Sequence, residues 1–131
     1  MTTKDSKLTY EFNNVTNAGG PYIIDIDSST LDMNDGNSLG TDAAYYVETI
    51  VLFSNGSSTQ SGATRRFCSF EKFGGTLALS LQDLLESYAA DPSRANINHT
   101  VSGSNIRIEL TTSSAGINQN WRVFVNIKGY S

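Results

Sequence analysis

The sequence has few of the side chains on which most enzymes rely. Among 131 residues there is one cysteine, Cys68, and one histidine, His99, and charged residues make up 17% of the chain, against roughly 25% in an average globular protein. A lone cysteine cannot form an internal disulfide, so the fold does not call for an oxidising compartment. One histidine and one cysteine are also too few for a zinc site without carboxylates.

Neither residue lies in a catalytic motif. A general base needs a nucleophile and an orienting acid, and no motif supplies them for His99, for which we expect a surface or structural role. Cys68 lies between two phenylalanines on a predicted strand, where a buried, inert thiol is expected. Arg65 and Arg66 could lower its pKa, but no histidine is placed to assist it. We predict no catalytic residue, cofactor or metal ligand, and hence no enzyme.

The charge distribution argues against two classes of partner. Residues 1–50 hold two lysines against eight acidic residues, whereas residues 51–131 hold seven basic residues against five acidic ones. Nucleic-acid binding needs a clustered basic face, which this balance does not provide. No apolar run is long enough to span a bilayer, and the first residues lack an apolar signal core. We expect a protein made in a cytoplasm that contacts neither nucleic acid nor membrane.

The aspartates between residues 25 and 42 raise the question of calcium. An EF-hand loop needs acidic residues at positions 1 and 3 and glycine at position 6. Counting back from Gly36 places Leu31 and Met33 at those positions, so the motif fails. A calcium site formed by two loops and a solvated turn region both remain open for this group, which comprises Asp25, Asp27, Asp32, Asp35 and Asp42.

What the chain does have is β-branched and aromatic residues in short runs separated by Ser, Thr, Asn and Gly, a pattern typical of strands joined by polar turns. The run at 45–53 is nearly continuously apolar and predicts a central strand covered on both faces. The runs at 105–110 and 121–128 alternate cleanly and predict an antiparallel hairpin. Strands are predicted at 8–12, 22–27, 45–53, 65–73, 76–80, 97–101, 105–110 and 121–128, with turns at 17–21 and 55–58 and a loop at 28–42.

One segment favours a helix. Ser80 and Asp83 have the spacing of a capping box, and Asp91-Pro92 would end the helix. Apolar residues between them fall on one helical face: Leu81, Leu84, Leu85 and Tyr88. The fold class is therefore mainly β, an antiparallel β-sandwich or jelly roll of about seven or eight strands with one short helix near 81–90. A chain of this length forms a single domain, 1–131, whose residues 1–7 are expected to be flexible.

Phe124 departs from the alternation of the last strand. It points away from the face that carries Trp121, Val123, Val125 and Ile127, which indicates a second buried surface, formed either by a second sheet or by a subunit interface. A Phe covered by a loop is the other interpretation. We take its face of the strand as the candidate interface, formed by Arg122, Phe124, Asn126 and Tyr130.

The aromatic residues also admit carbohydrate binding, because rings stack on sugars while amides bind hydroxyls. Aromatics in strands more often pack in cores or on sheet faces. A lectin-like β-sandwich module is therefore the alternative function. Its candidate residues are Tyr10, Tyr22, Tyr45, Tyr46, Tyr88, Tyr130 and Trp121.

From Tyr45 to Tyr130, about two thirds of the chain, the order of features resembles the C-terminal β domains of bacteriophage tail fibres and related virion surface proteins. A long apolar strand (45–53) and a polar turn (55–58) precede an aromatic strand (66–73) that ends at Gly74-Gly75. The ending is an alternating strand (102–110), a small-residue loop (113–118) and a Trp-x-apolar-x-apolar strand beginning at Trp121.

This resemblance implies a non-enzymatic virion protein that assembles through β surfaces. Tail fibres carry long N-terminal shafts, and only about 44 residues precede the match here, which makes a capsid decoration (cement) protein or a short tail component the expectation. The implied partners are further copies of the chain, with a trimer favoured, and other virion proteins. The implied location is the virion.

Overall fold

The computed structural model describes residues 3–28, 42–54, 61–89, 92–113 and 118–130, and within them the chain forms two antiparallel sheets. The mainly β fold and the sandwich are thereby confirmed. The described strands are β1 (Thr3–Val15), β2 (Tyr22–Asp27), β3 (Ala43–Ser54), β4 (Gly62–Phe73), β5 (Thr76–Gln82), β6 (Glu86–Tyr88), β7 (Asn96–Ser102), β8 (Asn105–Thr111) and β9 (Gln119–Tyr130), with a 3-10 turn at Pro92–Arg94.

The two sheets differ in size. The large sheet has the order β1-β9-β3-β4-β5, and β6 also pairs with β4, beyond the end of β5. The small sheet has the order β2-β8-β7. In the described part of the chain no helix has the length and hydropathy needed to cross a bilayer.

Glycines close two of the tight hairpins. Gly74 and Gly75 join β4 to β5 with φ values of 58° and 84°, the two positive values that a type I′ turn requires. Gly103 begins the two-residue connection between β7 and β8 with φ of 61°. A side chain at these positions would strain the backbone.

The core lies between the sheets and is formed by alternate residues of the facing strands. In β9, the side chains of Trp121, Val123, Val125 and Ile127 are all buried, as their alternation predicts. The small sheet contributes a facing layer of isoleucine and leucine: Ile24, Ile26, Ile97, Ile106, Ile108 and Leu110. Tyr22 joins the two layers, because its ring meets that of Trp121 edge-on at 5.4 Å.

The predicted hairpin of 105–110 with 121–128 is wrong. β8 pairs with β2 and β7 in the small sheet, whereas β9 pairs with β1 and β3 in the large one. Both strands turn one face to the core, but from opposite sides. Their clean alternation reports that one face is buried and does not identify the neighbouring strand.

The predicted helix near 81–90 is also wrong for the described residues, which run to Ala89. β5 continues to Gln82 and β6 follows at Glu86, so both use the same edge of β4. Pairing with that edge satisfies backbone groups that a helix would satisfy internally. Asp83 does not cap a helix: its Oδ1 accepts the Phe67 N–H at 3.0 Å and fills the gap between the two strands.

The remaining strand predictions are confirmed, with clearly longer limits in β1, β3, β4 and β9. Thr3 to Lys7, within the segment expected to be flexible, pair with β9 in regular register. The flexibility of residues 1–7 stays a prediction. β3 is internal in its sheet, as predicted, but its second face is only partly covered, because Tyr46 and Leu52 remain exposed. The predicted turn at 55–58 and residues 29–41 of the predicted loop lie outside the described residues.

Candidate functional site

The four candidate interface residues lie together on the outer face, which we define as the face of the large sheet that points away from the small sheet. All four come from β9, in the order Arg122, Phe124, Asn126, Tyr130. Phe124 is half-buried, opposite Thr9 on one side and Ile50 on the other. The parity of β9 therefore placed them correctly on one surface.

Two of these polar residues already have partners within the chain. Arg122 forms an ion pair with Glu11 on β1, and Asn126 Nδ2 donates to Glu48 Oε1 on β3 at 2.9 Å. Tyr130 remains half-exposed. The β9 part of the outer face is thus a polar surface whose charged groups are mostly satisfied.

Sequence reasoning missed a larger cluster on the same face, which we call the aromatic ladder: Tyr46, Phe67, Arg65 and Tyr88. The rings of Tyr46 and Phe67 stack at 5.6 Å between centroids. The Arg65 guanidinium lies 4.7 Å from the Phe67 centroid and 5.9 Å from that of Tyr88, within the range of cation–π attraction. The ladder crosses from β3 over β4 to β6.

Glu86 completes the ladder electrostatically. Its Oε2 accepts hydrogen bonds from the Tyr88 hydroxyl and, at 2.6 Å, from Arg65 Nη2. The hydrogen bond from Tyr88, and after it the one from Arg65, lowers the pKa of the Glu86 carboxyl below its ordinary value. The Glu86 carboxylate in turn raises the pKa of the Tyr88 hydroxyl. The only cation of the ladder is therefore paired at neutral pH.

An apolar slot lies beside the ladder. Tyr46, Ser69 and Leu81 are aligned across three strands, and the small Ser69 leaves a gap between its two larger neighbours. The resulting slot has a volume of about 220 Å³, with Phe67 and Asp83 also in its wall. Leu81 is 71% exposed, and Leu84, which follows Asp83 in the chain, is 86% exposed.

A second depression, which we call the polar depression, lies near the start of β9 at Asn120. It has a volume of about 390 Å³, and its polar lining comes from Glu11, Asn13, Ser54, Asn120 and Arg122. Leu52, Phe53 and Trp121 form the rest of the wall. Its wall provides amides, a hydroxyl, a carboxylate and a guanidinium. These are the groups that bind sugar hydroxyls through hydrogen bonds.

His99 is not on the surface but between the sheets. Its Nε2 lies 2.8 Å from Thr49 Oγ1 on β3, and Gln82 Oε1 on β5 lies 3.0 Å from Nδ1 and accepts the His99 backbone N–H at 2.7 Å. Burial, and after it the nearby Arg66 charge, lowers the pKa of the imidazole from 6.5 to about 4. His99 is therefore a neutral, hydrogen-bonded link between the two sheets.

Cys68 is buried on the inner face of β4. Burial, with a smaller contribution from Asp83, raises the pKa of its thiol to about 12, against the opposing charge of Arg66. The reactive thiolate is then scarce at neutral pH. The arginine that sequence reasoning weighed as an activator is outweighed by desolvation.

The described aspartates have protein partners. Asp25 forms a two-point ion pair with Arg107, with contacts of 2.8 and 3.0 Å, and the pKa of its carboxyl is lowered by those bonds. Asp27 accepts a hydrogen bond from Ser104, and Asp42 accepts the Gly74 N–H at 2.8 Å. Within the described ranges no group of three metal-binding side chains converges, while Asp32 and Asp35 lie outside them.

The aromatic candidates for sugar stacking divide into two sets. Tyr45 and Trp121 are buried and Tyr10 and Tyr22 are half-buried on the core side. Tyr46, Tyr88 and Tyr130 are exposed. Only the second set can offer a ring face to a ligand without opening the fold.

Comparison with known proteins shows a likeness of fold alone. No protein-family model matches the chain, and neither does the sequence of any curated protein. Among solved structures, the tailspike protein of Acinetobacter phage vB_ApiP_P1 aligns with 91% of this chain, at a TM-score of 0.51 and 10% identity. The chain spans 21% of the length of that protein.

Two further tailspike structures align less closely. One is the tailspike protein of Acinetobacter baumannii bacteriophage Fri1, which is described as a capsular polysaccharide depolymerase. It aligns with 96% of this chain at a TM-score of 0.45 and 11% identity. The other is from Acinetobacter baumannii phage AM24, with 98% covered, a TM-score of 0.46 and 13% identity. The chain covers 17% and 26% of their lengths. From the first alignment, this fold occurs as a part of a larger phage tailspike protein, which agrees with the resemblance at the level of fold.

The link through His99 predicts a loss of stability in acid. Because the folded pKa lies below the unfolded one, the unfolded chain takes up a proton between pH 6.5 and about 4 that the folded chain refuses, so stability falls as pH falls through this window. By pH 5 the loss should be about 2 kcal/mol, at about 1.4 kcal/mol per pH unit. Urea unfolding at pH 8, 6 and 5 measures it.

His99→Gln is the matched control, because its amide retains hydrogen-bonding capacity and does not titrate. The difference in unfolding free energy between the native chain and this variant should shrink from pH 8 to pH 5. Parallel profiles for the two proteins would contradict the assignment.

Proposed function

We propose that this chain is a non-enzymatic β domain of a phage virion that assembles with copies of itself and with other virion proteins through the outer face of the large sheet. The observation that carries the proposal is the exposed apolar surface formed by the aromatic ladder and the apolar slot. Exposed apolar residues that are grouped together, in contrast to ones scattered singly, often mark a binding site.

The polar groups on this face suit burial against a partner. Arg122 is paired with Glu11, Arg65 with Glu86, and Asn126 with Glu48. An interface that covers a charge already paired does not leave it unpaired in a dry environment, which is the costly outcome. Enrichment in tyrosine, phenylalanine and arginine is also typical of interface cores.

Two observations support the non-enzymatic part. Both ring nitrogens of His99 are engaged inside the core, and the Cys68 thiol is buried with a raised pKa. Neither side chain is placed to meet a substrate. The two residues on which an enzyme hypothesis would rest therefore have structural roles in the fold.

The likeness of fold to part of a tailspike protein favours the tail over the capsid as the location. A decoration or cement role on the capsid is the other form of the same proposal, and a trimer is the symmetry that the family resemblance implies. Both forms use a β surface to bind neighbouring proteins in the particle.

Location is tested on particles of the phage that encodes the chain. We expect antibody-gold label on the tail of purified particles in electron micrographs, with a serum absorbed by the pure chain as control. Label on the head would select the decoration form. Purified particles free of the chain by mass spectrometry would refute the virion role.

Self-association is tested by placing a charge on the outer face. Leu81→Asp puts a carboxylate at the slot, where an interface would have to bury it, so the mass of the assembly in sedimentation velocity should fall toward that of the monomer. Ile23→Asp is the matched control, since Ile23 is an exposed apolar residue (39%) on the small sheet. A chain that is monomeric at high concentration, or equal loss in both variants, would contradict the proposed surface.

Carbohydrate binding is the second candidate, and the polar depression favours it. Its amide, hydroxyl, carboxylate and guanidinium groups surround a volume of about 390 Å³. The exposed tyrosines lie elsewhere on the outer face, and the two aromatic residues in the wall, Phe53 and Trp121, are buried. The depression therefore offers hydrogen bonds without an exposed ring on which a sugar could stack. That makes it a weaker case than assembly through the ladder.

A glycan array with the pure chain tests this candidate. For any glycan bound, Asn13→Ala should weaken affinity about tenfold, the effect of losing one good hydrogen bond to the ligand. Asn17→Ala, in the exposed turn after β1, should leave affinity unchanged. Silence across broad arrays, or equal binding by the two variants, would rule the depression out as a sugar site.

A further inference from the structure

β1 occupies one edge of the large sheet. It is hydrogen-bonded to β9 on one side, and among the described residues no strand lies on its other side. Its register with β9 is uninterrupted from Thr3 to Phe12. A long, regular edge offers a row of backbone donors and acceptors to another chain.

We propose that this edge pairs antiparallel with the β1 edge of a second copy, over Ser6 to Phe12, about a two-fold axis at Thr9. The two large sheets then join into one. Such a contact is isologous, with the same segment contributing from both copies.

Charge complementarity selects the register. With the axis at Thr9, Lys7 lies opposite the second copy's Glu11, and Glu11 lies opposite the second copy's Lys7. On the inner face, Leu8 lies opposite the second copy's Tyr10, and the pair is again repeated by symmetry. Opposite charges and apolar pairs directly across two strands are the pairs that stabilise an antiparallel sheet.

Neighbouring registers that keep the faces matched are worse. An axis at Tyr10 sets Lys7 against Asn13 and Glu11 against Thr9, so neither charged residue meets an opposite charge. An axis at Lys7 places the two lysines opposite each other, and an axis at Leu8 places Asp5 opposite the second copy's Glu11. Like charges in these positions are destabilising. An axis at Ser6 pairs Asp5 with Lys7, but it sets Lys4 against Leu8 and leaves Tyr10 and Phe12 beyond the paired segment.

The end of the edge agrees with the proposed length. The register of β1 with β9 shifts between Phe12 and Val15, and Asn14 there has φ of 57° with its N–H bonded to Asn120 Oδ1. A bulge of this kind ends regular pairing. In the proposed register the last regular residue, Phe12, meets Ser6, so both copies stop pairing before the bulge.

This contact is distinct from assembly through the aromatic ladder and the apolar slot, because its hydrogen bonds use the backbone edge of β1. Its charged residues, Lys7 and Glu11, lie at the β1 margin of the outer face, away from the ladder on β3, β4 and β6. The two can fail separately. A cross-link at the two-fold axis reports the edge contact whatever the total mass of the assembly.

Thr9→Cys in the full chain is the direct test. Antiparallel partners lie about 4.5–5.5 Å apart between Cα atoms, within the range that a disulfide spans. Mild oxidation should give a covalent dimer of Thr9→Cys in high yield, while the native chain, whose Cys68 is buried, gives none. Ser6→Cys tests the competing axis: cross-linking there alone, or of neither variant, would overturn the proposal.

Charge reversal in the Thr9→Cys background tests the register. Lys7→Glu should lower the rate of cross-linking about tenfold, because two favourable pairs become two repulsive ones. Adding Glu11→Lys and Arg122→Glu to Lys7→Glu reverses the charges of all three residues. The pairs between the copies and the ion pair between residues 11 and 122 within each copy are then favourable again, so the rate of cross-linking should recover. Circular dichroism confirms that each variant is folded. An unchanged rate in Lys7→Glu, or no recovery in the fully reversed variant, would refute this register.

Discussion

Burial of the inward side chains of β9 is the interaction on which the rest of the structure depends. Trp121, Val123, Val125 and Ile127 are each at most 2% exposed, and full burial of such a side chain contributes about 1.5–3 kcal/mol. β9 is also hydrogen-bonded along both edges, to β1 and β3. It therefore positions the large sheet, and the edge-on contact of Trp121 with Tyr22 brings the small sheet over it. The two neighbours of β9 are β1, which forms one edge of the large sheet, and β3, which carries Tyr46 of the aromatic ladder.

The alternation of buried and exposed residues in β9 could be predicted from the sequence, and so could most strands, because apolar residues at every second position indicate a half-buried strand. Which strands are neighbours in a sheet could not be predicted from this pattern. β8 and β9 alternate equally well whether they lie side by side or face each other across a core, and the structure takes the second arrangement. The helix prediction for the segment after Ser80 was wrong for a related reason. Its leucines have helical spacing, but the open edge of β4 satisfies its backbone, and Leu81 and Leu84 stay exposed.

The candidate site shows the same difference between residues that the alternation within one strand places and residues that only strand pairing brings together. Parity alone placed Arg122, Phe124, Asn126 and Tyr130 on one face, because all four belong to a single strand. The aromatic ladder needs the registers of β3 with β4 and of β4 with β6, which no pattern within one strand reveals. His99 was expected on the surface or in a structural role. The structural role holds, because Thr49 and Gln82 supply partners from distant parts of the chain.

The core in turn determines the geometry of the outer face. On the inner face Val47 lies opposite Cys68 and Val51 opposite Thr64, all buried. A slip of one residue between β3 and β4 would turn one set of these side chains to water, so the register is strongly specified. The same register places Tyr46 diagonally across from Phe67, where their rings stack, and sets Ser69 beneath the slot. The spacing of the outer face is therefore held by the valines and the tryptophan behind it, and the ring stacking and ion pairs of that face add to this order.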